Sequence, residues 1–220
     1  MTAESAPSSS MLVLAGREPL AIGHLRSVYQ HPQHADELIK LMRSDVVEKR
    51  WNARGRWLKR LPRTRHYIGY LRELKEYIAA RALSDSGDLP IVRMIGLVET
   101  DLGLGLVSEK VVDADGALAP TLAAVYAKRG FAPELRAALD AFLEGLLGGN
   151  VIVGDMHAWN IVYGRDSRGG PRLIMIDGFG EKHAIPVSSM SRVINRYRTR
   201  RLFKRMLAQL ERLVPVENAP

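Results

Sequence analysis

Gly154-Asp155-Met156-His157-Ala158-Trp159-Asn160, followed at Ile174 by Ile174-Met175-Ile176-Asp177-Gly178-Phe179-Gly180, is the stretch on which the reading of this chain turns. A carboxylate and an amide five residues apart on one loop can point into a common site. A second carboxylate, Asp177, follows an apolar run 17 residues after Asn160. An ionised group at such a place is costly unless it is used, because burial strips its water. Together the three side chains offer hard oxygen donors of the kind Mg²⁺ prefers, and a carboxylate free to meet a hydroxyl. Phosphoryl transfer asks for little more than such positioning and charge neutralisation.

Working outward, the chain has 220 residues, 46% hydrophobic and 25% charged, with a net charge of +8. That is the balance of a globular protein, not of a disordered or fibrous one. There is no cysteine, which excludes disulfides and thiolate metal sites and fits a reducing compartment. No apolar run approaches the ~20 residues of a transmembrane helix, and Met11–Ala15 lacks the basic start of a secretory signal. A cytoplasmic protein with a polar, disordered leader at 1–10 is the expectation.

Downstream of the leader, Leu12–Ala15 reads as a strand and Leu20–Tyr29 as a strand-turn-strand about Gly23. Leu38–Leu41 reads as a strand carrying Lys40. Residues 43–65 form a basic, helical insertion with Trp51 and Trp57. Residues 67–83 predict a helix whose apolar side is Tyr70, Leu71, Leu74, Tyr77 and Ile78, with charges opposite. Strands follow at 92–100 and 104–112, and residues 113–120 read as the boundary between two lobes. Helices are expected at 121–129 and 133–147, short strands at 151–153 and 160–163, a turn at 165–171, a strand at 172–176 and a very basic helix at 191–213. The fold class is therefore α+β, two-lobed: residues 11–112 an antiparallel sheet with one helix, 113–220 a mainly helical lobe.

The interval from Asp155 to Asn160 equals that of the protein-kinase catalytic loop, and Asp177 falls where the second, metal-binding aspartate would. With the GDMHAWNIVYG block and the RELKEY helix, the chain resembles the bacterial YrbL family, associated with the PhoP regulatory network, within the protein-kinase-like superfamily. The resemblance spans residues 12–185, and its specific part is the catalytic block. It implies a minimal kinase-like fold with the nucleotide between the lobes, and ATP and Mg²⁺ as cofactors. It makes Asp155 the catalytic aspartate, with Asn160 and Asp177 holding the metal. Lys40 would contact the α/β-phosphates and pair with Glu73, Glu76 being the rival. Glu109–Val111 would be the hinge meeting the adenine, and Gly23 the remnant of the glycine-rich loop.

Departures from the kinase pattern are visible. Val153 and Gly154 stand where many kinases have His and Arg, the second motif runs Asp-Gly-Phe, and no Ala-Pro-Glu segment follows. Only one glycine marks the phosphate loop, which keeps open a non-catalytic nucleotide-binding regulator. His157 with Asp155 and Asp177 could serve a metal-dependent phosphohydrolase, but the further His or Asp cluster of such sites is missing. His157 is expected instead to brace the loop by hydrogen bonding. The acceptor, small molecule or protein, is unknown. The basic segments 43–65 and 192–205 are either solvated faces or contacts for an anionic partner; as a basic nucleic-acid binder the chain lacks any recognisable motif.

Overall fold

In the computed structural model the described residues are 11–46, 67–83, 88–181 and 187–213. The leader and nearly all of the basic insertion lie outside them. The architecture is α+β, and the chain divides into two compact units, residues 1–67 with 94–110, and residues 68–93 with 111–220.

The first unit is one antiparallel five-stranded sheet. Its strands are β1 (Ala21–Ile22), β2 (Arg26–Gln30), β3 (Glu37–Met42), β4 (Met94–Thr100) and β5 (Gly103–Glu109), in the order β1-β2-β3-β5-β4. Strand alternation puts Ile39 and Leu41 on one face, where they pack with Leu12, Leu14 and Val107. Each such fully buried aliphatic side chain contributes roughly 1.5–3 kcal/mol. Gly105 makes this packing possible, since a Cβ there would come within 2.5 Å of the Ile39 side chain. Lys40, on the opposite face, is buried too, and lies in register between Val28 and Leu106.

Leu12–Ala15 is not a strand. Leu12 alone bridges Thr100, and the Leu14 and Ala15 N–H groups donate to the Asp101 carboxylate at 2.7 and 2.9 Å. A side chain thus takes the donors that a sheet neighbour would have used.

The second unit contains α1 (Ile68–Leu83), α2 (Leu122–Arg129), α3 (Pro133–Gly148), the hairpin β6 (Ile161–Asp166) and β7 (Gly169–Met175), then α4 (Val187–Met190) and α5 (Arg192–Leu213). Thr121 caps α2 by accepting the Ala124 N–H, and Gly130 ends it with a positive φ. Proline opens α3, whose buried face is Leu135, Leu139, Phe142, Leu146 and Leu147. A division of the chain at 112 would put α1 with the sheet; in the structure α1 groups with the second unit. Residues 90–92 do the same, because Val92 N–H donates to Met175 O and Met175 N–H to Pro90 O. The strand expected from 92 accordingly begins at Met94, and that expected to reach 112 ends at Glu109.

Helix α1 buries a different face from the expected one. Its buried residues are Tyr70, Glu73, Glu76 and Ala80, while Leu71 and Ile78 are exposed. Spacing alone favours the apolar side; here two carboxylates go inward, and one of them, Glu76, accepts the Ile152 N–H.

Candidate functional site

The 152–155 segment, expected to begin as a strand, makes a single bridge, Val153 to Phe179. Gly178 and Gly180 opposite it have φ of +84° and +95°, and such left-handed residues interrupt a ladder. What forms is a compact lock. Gly154 and Asp155 N–H both donate to Gly178 O, at 2.9 and 2.7 Å, and Gly180 N–H donates to Ile152 O at 2.7 Å.

This lock brings the segments around Asp155, Asn160 and Asp177 together. Asn160 Nδ2 donates to Asp155 O at 3.2 Å, Asn160 N–H to His157 O, and Ile176 N–H to Asn160 O. Because its Nδ2 is spent inward, the Asn160 Oδ1 is the amide atom presented as a metal acceptor. A Cβ on Gly178 would overlap the Asp155 carbonyl oxygen and come within 2.7 Å of Asn160 Nδ2. Gly178 thus packs against the backbone of Asp155 and the amide of Asn160, with Asp177 one residue before it in the chain. Three hard donors, two carboxylates and an amide oxygen, fit a divalent cation such as Mg²⁺.

Two residues of α1 hold this lock from behind. Glu76 Oε1 accepts the Ile152 N–H at 2.7 Å, and a Cβ on Gly180 would meet the Arg72 backbone at 2.7 Å. Burial pushes the Glu76 carboxyl up to about 7, and nearby Glu181 adds to the rise, against the Ile152 hydrogen bond. Glu76 is thus committed to the second unit's backbone. Glu73, also buried on the same face, is the carboxylate of the pair not spent on Ile152.

His157 braces the loop through its carbonyl. Among the described residues its buried Nδ1 has no hydrogen-bond partner, and the ring stands edge-on to Trp159 at 6.0 Å. The metal-ligand-type cluster found among the described residues lies elsewhere, at His31, His34 and Glu37 in the β2–β3 connection. Its chemistry is that of a turn. His31 Nδ1 accepts the Gln33 and His34 N–H groups at 3.2 and 3.1 Å, so the neutral ring carries its proton on Nε2 and presents a donor there, not a metal ligand. Burial keeps its pKa below the ordinary value, which favours that neutral form.

In the first unit, Gly23 forms an exposed hairpin turn. Its N–H donates to Arg26 O at 2.8 Å and its carbonyl accepts from Arg43 Nη1. Glu109 is buried at the end of β5, in register with Glu37. Beyond it the Lys110 N–H goes to Asp36 O, Val112 N–H to Arg165 O, and Val111 O accepts from Ala119. Among the described residues the Val111 N–H has no partner.

One supporting feature has only a weak sequence signal. Asp166, whose side chain is 1% exposed, pairs with both Arg168 and Arg172. Arg168 also donates to the Leu89 and Ile91 carbonyls at 2.7 and 2.8 Å, and Arg172 pairs with Asp88. The spacing of one acid and two arginines within RDSRGGPR looks like an ordinary hairpin turn; only the fold reveals that it fastens residues 88–91.

A family model described as PhoP regulatory network protein YrbL matches residues 12–211. Two curated relatives named Uncharacterized protein YrbL, from Escherichia coli (strain K12) and Shigella flexneri, are each 28% identical over 205 residues, 90% of this chain and 88% of theirs. A solved structure, a double mutant of the Mycobacterium tuberculosis PknI kinase domain, aligns with a TM-score of 0.45 and 17% identity. That alignment covers 73% of this chain and 56% of the other, so the chain spans little more than half of it.

Proposed function

The chain belongs to the PhoP regulatory network protein YrbL family, and from that premise we propose that it is an ATP- and Mg²⁺-dependent phosphotransferase. The observation that supports the reading is the packing of Gly178 against Asp155 O and Asn160 Nδ2, which brings together the backbone segments that carry Asp155, Asn160 and Asp177.

In this reading the Asp155 carboxylate orients the acceptor hydroxyl and takes its proton as the oxygen bonds to the γ-phosphorus. The bond from that phosphorus to the β–γ bridging oxygen breaks, and ADP leaves. Asn160 Oδ1 and the Asp177 carboxylate hold Mg²⁺, which supplies charge neutralisation at the phosphates when bound. Lys40, a buried cation on a rigid strand, neutralises the α/β-phosphates. Glu73 is its positioning partner, because Glu76 is occupied by Ile152. The Val111 N–H and the Glu109 carbonyl are assigned to the adenine edge, and the Gly23 turn to the phosphates.

The non-catalytic regulator is favoured by one feature, the lone glycine in a turn after a two-residue strand. Thermal melting with Mg·ATP and release of ADP separate the two. The expected result is a stabilising shift that Asp177→Ala and Lys40→Met remove, and that Asp155→Asn keeps while turnover falls by ~10²–10⁴. Glu73→Gln is expected to weaken the shift. No shift with any purine nucleotide and Mg²⁺ or Mn²⁺ overturns both readings; a shift without turnover over a broad acceptor screen leaves the regulator.

A further inference from the structure

Helix α5 carries eight cations and one anion between Arg192 and Leu213, a net +7 on 22 residues. The basic segment 43–65 holds another +7, so the remainder of the chain is acidic, at −6. The charge is segregated, not spread.

The core does not require this. The buried side of α5 consists of Asn195, Thr199, Phe203, Met206 and Leu210. Asn195 Nδ2 anchors it by donating to Asn150 O and Val151 O, both at 3.1 Å. Arg198 is the one cation of the helix held inward, with its guanidinium on Ser188 Oγ and near Glu181. The remaining cations are exposed. Several repeat at four-residue spacing, as Arg196–Arg200–Lys204 and Arg201–Arg205, and such like-charge neighbours repel along a helix. An anionic surface laid against them relieves that repulsion.

Apolar groups are exposed at the start of this helix. Val193 and Tyr197 are 76% and 67% exposed, and Met190, which ends α4 just before it, is 75% exposed. Val193 and Tyr197 are one turn apart, and at 100° per residue Tyr197 shares its azimuth with Arg201 and Lys204. A nucleic-acid backbone has nothing to gain from a projecting methionine and valine. A bilayer interface does: it buries the apolar tips, seats the tyrosine ring at headgroup level and pairs the arginines with lipid phosphates.

We propose that the outer face of α5, led by Val193 and Tyr197 with Met190 of α4 just before them in the chain, docks on the surface of an anionic lipid bilayer with the helix parallel to the membrane plane. The docking is peripheral, as among the described residues no helix is long and apolar enough to cross a membrane. It does not rest on the phosphotransferase reading and survives its failure.

The test is co-sedimentation of the full-length protein with vesicles of phosphatidylcholine alone and of an equal mixture with phosphatidylglycerol, at about 0.1 M salt, where exposed charges are screened beyond ~10 Å. Binding is expected only to the anionic vesicles. Arg201→Glu with Lys204→Glu should weaken it at least tenfold, and Val193→Ser with Tyr197→Ser several-fold, both variants keeping the wild-type circular dichroism and melting temperature. Three outcomes overturn the proposal. One is no binding to anionic vesicles. Another is binding that both α5 variants leave intact, which assigns it to segment 43–65. The third is binding lost with the charges, untouched by the apolar variant and competed away by duplex RNA, which makes α5 a nucleic-acid contact.

Discussion

The Glu76 carboxylate accepts the Ile152 N–H at 2.7 Å, and the Ile152 carbonyl in turn accepts the Gly180 N–H. One buried acid on α1 thereby reaches both strands of the lock that carries Asp155 and Asp177. The position of α1 and the pairing of residues 152–155 with 178–180 are thereby linked through one side chain.

Burial of that carboxyl makes stability depend on pH. The Glu76 pKa is raised from 4.5 to about 7 in the fold, so between those values the folded state holds a proton that the unfolded state has lost. Stability from this group is therefore highest below about 4.5 and falls as pH rises to about 7, by up to roughly 3 kcal/mol. Glu76→Gln keeps an acceptor for Ile152 without the charge. Urea unfolding at pH 6 and 8 is expected to show the variant gaining on the wild type at the higher pH; parallel pH profiles would contradict the buried, uncharged state.

Gly178 is expected to be irreplaceable in a way that Gly116 is not. Both have φ near +80°, but a Cβ on Gly116 meets nothing within 4 Å. Gly116→Ala should cost only the backbone strain, roughly 1–3 kcal/mol. Gly178→Ala adds an overlap with the Asp155 carbonyl and the Asn160 amide, so it should unfold at distinctly lower urea and lose any Mg·ATP shift. Equal losses in the two variants would mean that the loops are not in contact as described.

The Asp166 cluster should behave as a buried network and the Arg43–Asp45 pair as a surface one. Burial alone would raise the Asp166 pKa, but its hydrogen bonds and charge pairing with Arg168, and the charge of Arg172, hold it below the ordinary value. Its contribution is complete above about 3.8 and is lost as pH falls below that. Asp166→Ala leaves two guanidinium groups without their shared acceptor, at about 3–5 kcal/mol. Asp45→Ala, at an exposed pair with 2.9 Å separation, should change stability by less than about 1 kcal/mol. Chemical denaturation of both at neutral pH checks the contrast.

Much of this was legible before any coordinates. The helices expected at 121–129 and 133–147 lie at 122–129 and 133–148, and for the second an initiating proline and terminal glycines are local signals. The hairpin at Gly23 and the antiparallel β4–β5 pair follow from alternation and turn residues. Where reading failed, a distant partner had taken over a local preference. Asp101 captured the donors of Leu14 and Ala15 from 87 and 86 residues away. The backbone at Ile152, 76 residues on, drew Glu76 inward against the apolar periodicity of α1.

The residue types by themselves determined the α+β class, the element order and the charge segregation, and on them rests the choice of Asp155, Asn160 and Asp177 as the triplet for which we propose phosphoryl transfer. These rest on short-range sterics, period and ligand chemistry, which a chain displays wherever it lies. Only the tertiary structure decided that Gly178 would press those loops into contact, that α1 would turn two glutamates inward, and which side of α5 would face solvent. Those outcomes depend on which buried donor finds which acceptor across long loops, and that is settled by packing the whole unit at once.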